Sequence, residues 1–248
     1  MSGMDDSQSQ TWRDLDAIPR AYRIYLVNYE ELARKLRVLD DPGQWLPIIS
    51  VGSGALIPFL QEVERLLHNF LAAAFTLSST INAAAKRRWS GDARKWSAFE
   101  KETPFRRPGA PVFVFGLRNL AQHAIIPLTS SQASAQRNPD GNLTLTYSII
   151  FDREALLGLE WDKCHHSGQQ YLDELGRDPD LRKVIESFTH DAVTFTAWFY
   201  DQIADEVALL PPRRRRQAKT WRASIAPAHF ATGYADWSRL GDWQPNEA

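Results

Sequence analysis

Cysteine is nearly absent. Cys164 is the single thiol in 248 residues, which excludes an intramolecular disulfide and a metal site built from cysteine alone. A lone thiol predicts a reducing, cytoplasmic setting. Long apolar runs are missing too: stretches such as Leu71 to Phe75 fall far short of the ~20 residues that a membrane span requires, so no membrane partner is expected. The opening MSGMDDSQSQ carries two acids and no apolar core, unlike a signal or transit peptide. Net charge is also small. With 29 Lys and Arg against 30 Asp and Glu the balance is −1, so any nucleic-acid contact must be a local patch.

What is present is ordinary globular composition, 44% apolar and 24% charged with 13 Gly and 14 Pro. Tyr22, Tyr25, Leu26, Tyr29, Leu32, Leu36 and Leu39 recur at steps of three and four. They predict a first helix from about Ile18 to Leu39, stopped by Asp40-Asp41-Pro42-Gly43, with residues 1–17 a flexible N-terminus. After Val51-Gly52-Ser53-Gly54 the same period, through Leu60, Val63, Leu67, Phe70, Ala74, Leu77 and Ile81, predicts a second helix to about Ala85. Lys86 to Ala110 then hold eight basic residues against three acids, with Trp89, Trp96, Phe99 and Phe105 interleaved. This segment reads as a basic loop whose Arg87, Arg88, Arg106 and Arg107 contact phosphates while the aromatic rings stack on bases; a merely solvated loop is the plain alternative.

A third helix is expected from Pro111 to Ile126, ended by Pro127. The alternation of Leu143, Leu145, Tyr147 and Ile149 with Thr144, Thr146 and Ser148, behind the turn residues Asn138-Pro139-Asp140-Gly141, predicts a β-hairpin over Leu128–Gln136 and Asn142–Phe151. Short helices follow at Arg153–Gly158 and Lys163–Leu175. Asp178-Pro179-Asp180 supplies a capping Asp and a Pro at the first position of a long helix lined by Leu181, Ile185, Phe188, Ala192, Phe195, Phe199, Ile203 and Val207. Pro211-Pro212 ends it. A basic tail over 211–248 carries Arg213, Arg214, Arg215, Arg216, Lys219 and Arg222, a second candidate RNA contact, with Trp221, Trp237 and Trp243; a disordered tail is the plain alternative. The pattern predicts a mainly α chain: one helical bundle over 18–210 with a β-hairpin insertion.

The third helix holds the residues that bear chemistry. At ~100° per residue Arg118, Asn119, Gln122 and His123 fan over one face, opposite Phe113, Leu117, Leu120, Ala121 and Ala124. Asn119 and His123 are four apart, so the amide is expected to bond the imidazole and fix its tautomer. Metal-free RNA cleavage needs a base for the 2′-hydroxyl, an acid for the leaving oxygen and cations for the phosphoryl charge, roles that His and Arg supply. One pair covers only part of these roles, and a homodimer would cover all. The bland reading is a solvated helix face. Cys164-His165-His166 has no second ligand cluster, and adjacent helical residues diverge, so no metal or other cofactor is expected. Gly52-Ser53-Gly54 lacks the Lys-Ser/Thr of a phosphate-cradling loop. His68 and His190 read as packing residues.

Arg118-Asn119-Leu120-Ala121-Gln122-His123 resembles the RxxxxH motif of HEPN domains, with Asn after the Arg. Leu117 through Pro127 resembles the motif helix of bacterial HEPN proteins, and Glu64–Ala74 resembles their earlier long helix. The likeness spans roughly Leu60 to Leu210, and only the motif and its flanks are specific. It implies a helical homodimer acting as a metal-independent endoribonuclease in a toxin–antitoxin or anti-phage defence system, with Arg118 and His123 catalytic and Asn119 supporting. An antitoxin or other defence partner protein is implied as well. Toxins silenced by a nucleotidyltransferase carry Tyr two residues after the His, where Ile125 stands here, and Leu120 replaces a frequent aromatic. The alternative from another class is a non-catalytic HEPN-fold module that binds RNA or serves as a scaffold or regulatory subunit.

Overall fold

The computed structural model describes residues 6–50, 53–123, 126–137, 143–159, 161, 166–208, 210 and 212–224. It is mostly helical with one small antiparallel sheet. In chain order the elements are α1 (Asp6–Arg37), α2 (Pro42–Ser50), α3 (Ser53–Trp89), α4 (Ala93–Glu102), α5 (Ala110–Leu120), β1 (Leu128–Arg137), β2 (Leu143–Phe151), α6 (Arg153–Leu157), α7 (His166–Glu174), α8 (Leu181–Gln202), α9 (Ala204–Ala208) and α10 (Pro212–Ser224). The chain divides into two compact units, and the division falls within α1, α3 and α8.

The first unit comprises Met1–Arg20, Thr80–Pro104 and Thr189–Ala248. Its core is aromatic: Trp89 packs on Phe199 with ring centroids 5.2 Å apart, and Phe99 on Phe195 at 5.7 Å. Asp14, buried on α1, accepts hydrogen bonds from Arg87 and Arg88 at the end of α3, and Arg88 Nε donates to Glu206 at 2.8 Å. This cluster gives the N-terminal polar stretch a tertiary anchor. α1 therefore begins at Asp6 rather than at Ile18, and most of residues 1–17 are helical. The stretch has no apolar stripe and so no period to read.

The second unit comprises Ala21–Ser79 and Phe105–Phe188. Tyr25, Phe70, Phe188 and Phe115 form its centre, with Tyr25–Phe70 at 5.6 Å, Phe70–Phe188 at 5.9 Å and Phe115–Phe188 at 5.8 Å. Phe113 stacks on Trp161 at 5.7 Å. Gly168 lets α7 come close to α5, since a Cβ there would sit 3.3 Å from the Phe113 Cα and 3.1 Å from the Trp161 ring. The hairpin has the expected period of two: Tyr147, Ile149 and Phe151 are buried, and Leu128 pairs with Phe151 across the sheet. The turn residues Asn138–Gly141 lie outside the described residues.

Several element boundaries differ from the sequence expectation. Asp41-Pro42-Gly43 stops α1 and also starts α2, because the Asp41 carboxylate accepts the Gly43 N–H at 2.8 Å and Pro42 opens the helix. The supposed basic loop contains α4, whose N-cap Asp92 accepts from the Arg94 and Lys95 N–H groups. α8 is capped by Asp180, whose Oδ1 accepts from the Arg182 N–H at 2.8 Å, so Asp178 and Pro179 precede the helix. The stripe expected to run unbroken to Val207 is interrupted at Ile203. The start of the supposed tail is α10, whose Ala218 and Trp221 are buried.

Candidate functional site

α5 is less amphipathic than its sequence suggests. Every residue from Ala110 to Leu117 is buried, so the helix belongs to the core of the second unit and only its last turn reaches the surface. Its start is set by Gly109, at φ +114° and ψ −157°, a region that side chains on Cβ disfavour.

The helix also ends early. Leu120 is its last residue, and Ala121–His123 form a turn in which the Gln122 N–H bonds the Asn119 carbonyl at 3.2 Å and the His123 N–H bonds the Leu120 carbonyl at 2.9 Å. These three-residue closures tighten the backbone toward Pro127 and β1. The expected helix to Ile126 is thereby corrected; Ala124 and Ile125 lie outside the described residues. With the helix ended, the four-residue spacing no longer stacks Asn119 under His123, and the expected bond between them does not form. The His123 side chain is exposed and makes no hydrogen bond among the described residues.

Arg118 is the organised member of the group. Its Nη1 donates to Asn119 Oδ1 at 3.1 Å and to Gln122 Oε1 at 2.9 Å. The guanidinium carbon lies 4.1 Å from the centroid of the half-exposed Phe75 ring, a stacking worth about 0.5–1 kcal/mol at an exposed site. Phe75 in turn meets Phe115 edge-on at 6.3 Å. All three partners are neutral, so the cationic charge is held in place without being neutralised. Among the described residues Nε and Nη2 have no acceptor. That edge is the two-pronged donor which matches a phosphate or carboxylate. Phe75 escaped the sequence reading because it sits in the alanine-rich stretch of α3, far from Arg118 along the chain.

The other expected RNA contacts fall elsewhere. Arg106 and Arg107 are exposed and belong to the second unit, like the motif. Arg87 and Arg88 belong to the first unit, where they are committed to carboxylates; the Arg88 side chain is 7% exposed between Asp14 and Glu206. Arg88 is thus an internal ion-pair residue rather than a surface contact. Arg213, Arg214, Arg215 and Arg216 occupy the first turns of α10 in the first unit. Cys164 and His165 lie outside the described residues, and among those described no His, Cys, Asp and Glu group has the makings of a metal site. An open cleft of ≈ 640 Å³ at the base of the hairpin, lined by residues including Asp152, Arg153, Asp173 and Arg177, holds none of the motif residues. No single helix among the described residues is long and apolar enough to cross a membrane. Compared with protein-family models, curated proteins and solved structures, the chain matches none.

Proposed function

We propose that the protein is a metal-independent endoribonuclease whose reaction centre is built on Arg118 and His123. The observation that carries this reading is the neutral clamp on Arg118. Asn119, Gln122 and Phe75 orient the guanidinium and leave its charge and one donor edge for an anion. In RNA that anion is the scissile phosphate. The 2′-hydroxyl attacks the adjacent phosphorus, a base takes its proton, and the phosphorus–O5′ bond breaks as an acid protonates the leaving oxygen. The products are a 2′,3′-cyclic phosphate and a 5′-hydroxyl, and Arg118 offsets charge on the phosphoryl oxygens throughout.

His123 has no orienting partner within its own chain among the described residues, which is consistent with a second copy completing the site. Two chains supply two imidazoles, one for each proton transfer. The HEPN resemblance supports this arrangement, and a toxin–antitoxin or anti-phage setting with a regulating partner protein rests on that resemblance. The exposed, unoriented His123 equally suits a HEPN-like module that binds RNA through Arg118 without turnover. Incubating the full chain with total RNA in EDTA decides between them. Cleavage by the wild type and none by His123→Ala supports the enzyme; binding without cleavage by either supports the module.

A further inference from the structure

α10 is built unlike the other helices. Its 13 residues carry Arg213, Arg214, Arg215, Arg216, Lys219 and Arg222 and no acid. Other basic stretches have acids close by: Arg94, Lys95 and Lys101 share α4 with Glu100 and Glu102, and Arg87 and Arg88 are paired with Asp14 and Glu206. Four successive arginines at a helix start oppose the positive end of the helix dipole, and Arg213 and Arg216, three apart, repel each other. Such a helix is destabilised by its own charge until an anion lies against it.

The fold sorts these side chains by role. Ala218 and Trp221 are buried and fix the inner face. Arg214 and Arg215 are half-buried, and Arg215 Nη2 donates to the Leu210 carbonyl at 3.1 Å. Arg213, Arg216 and Lys219 are exposed and, among the described residues, their side chains have no hydrogen-bonding or carboxylate partner. Steps of three at ~100° per residue hold them within ~120° of arc, each about 4.5 Å further along the axis. The result is a stripe of three unneutralised cations on one exposed face of the helix.

We propose that the stripe Arg213, Arg216 and Lys219 on α10 binds the phosphodiester backbone of single-stranded nucleic acid, independently of base sequence and of the chemistry at Arg118. The repeated negative charge of such a strand suits a one-signed stripe, whereas the half-buried Arg214 and Arg215 serve the packing of α10.

The test compares the full chain with the variant Arg213→Gln/Arg216→Gln/Lys219→Gln, binding a labelled single-stranded oligothymidylate between roughly 50 and 200 mM salt. Glutamine is a good helix former, and circular dichroism confirms that α10 and the fold persist. The slope of log affinity against log salt should fall by about 2, since each single-strand phosphate contact contributes about 0.7. Affinity at the low-salt end should drop tenfold or more, on the order expected for lost phosphate contacts. Arg94→Gln/Lys95→Gln on α4 is the control and should change the slope much less. An unchanged slope in the triple variant, or an equal fall in the control, overturns the proposal. So does loss of binding to phosphatidylserine vesicles with oligothymidylate binding intact. Oligothymidylate has no 2′-hydroxyl, so binding is read apart from cleavage. A protein that binds through α10 yet cuts no RNA loses only the nuclease reading; one that cuts RNA with an unchanged slope loses only this inference.

Discussion

Two arginines do different work because of their neighbours in space. Arg88 lies between the carboxylates of Asp14 and Glu206, and its charge is neutralised inside the first unit. Replacing it with Ala leaves Asp14, 4% exposed, short of its most buried cation, although Arg87 remains. Breaking a buried pair costs about 3–5 kcal/mol, and chemical denaturation should show a loss near the lower end. Arg118 is held by neutral groups instead, so its removal should spare stability and affect function. Arg118→Lys keeps the charge but loses the planar edge and the stacking on Phe75, so RNA cleavage should fall steeply while the denaturation midpoint barely moves. His123→Ala should reduce cleavage by about 10²–10⁴-fold with little change in RNA affinity. Equal cleavage by all three proteins would place the activity elsewhere. The motif itself was legible as residue types at a spacing; the carboxylates that claim Arg88 and the ring that supports Arg118 were not, since each lies far away in the chain.

At the scale of elements, α5 is positioned by its ends. Gly109 at φ +114° turns the chain into the helix, and Gly109→Ala should destabilise by about 1–3 kcal/mol, because the clash is with the backbone itself; nothing lies within 4 Å of the added Cβ. The check is a shift in thermal unfolding alongside weaker RNA cleavage, as the Arg118 turn loses its support. Helices with an apolar period, α3 and α8, and the alternating hairpin were legible in outline. α4 and α10 were read as loop and tail because their surface charge masks short apolar contributions, Phe99 in one and Ala218 and Trp221 in the other. α5 was read as longer than it is. Its apolar period continues through Ala124 in sequence, but the three-residue closures at Gln122 and His123 end the helix first.

For the molecule as a whole, global stability should carry a pH signature from Glu186. Burial raises its carboxyl above the ordinary value, with Asp180 and Asp40 reinforcing the shift and Arg182 opposing it. A raised carboxyl favours the folded state below the ordinary carboxylate range and loses that contribution as pH rises through the folded value. Glu186→Gln should therefore be more stable than wild type at neutral pH by roughly a few tenths of a kcal/mol, given partial exposure. The difference should vanish in acid. Burial likewise pushes the Tyr29 hydroxyl up to about 12. If its site is composite, the protein should scatter light as a dimer of 28.2 kDa chains; a strict monomer that still cleaves RNA would rule that arrangement out.

The sequence by itself determined the class: mostly helix with one hairpin, since apolar periods of 3.6 and 2 are local properties of the chain. It also placed Arg, Asn, Gln and His close together along the chain. Only the tertiary structure decided which charges are spent and which are free. Asp14 and Glu206 take up Arg88, Phe75 and two amides hold Arg118 without neutralising it, and Trp221 and Ala218 orient α10 so that one stripe faces water. Neutralisation depends on distance in space, and no spacing along the chain reports it.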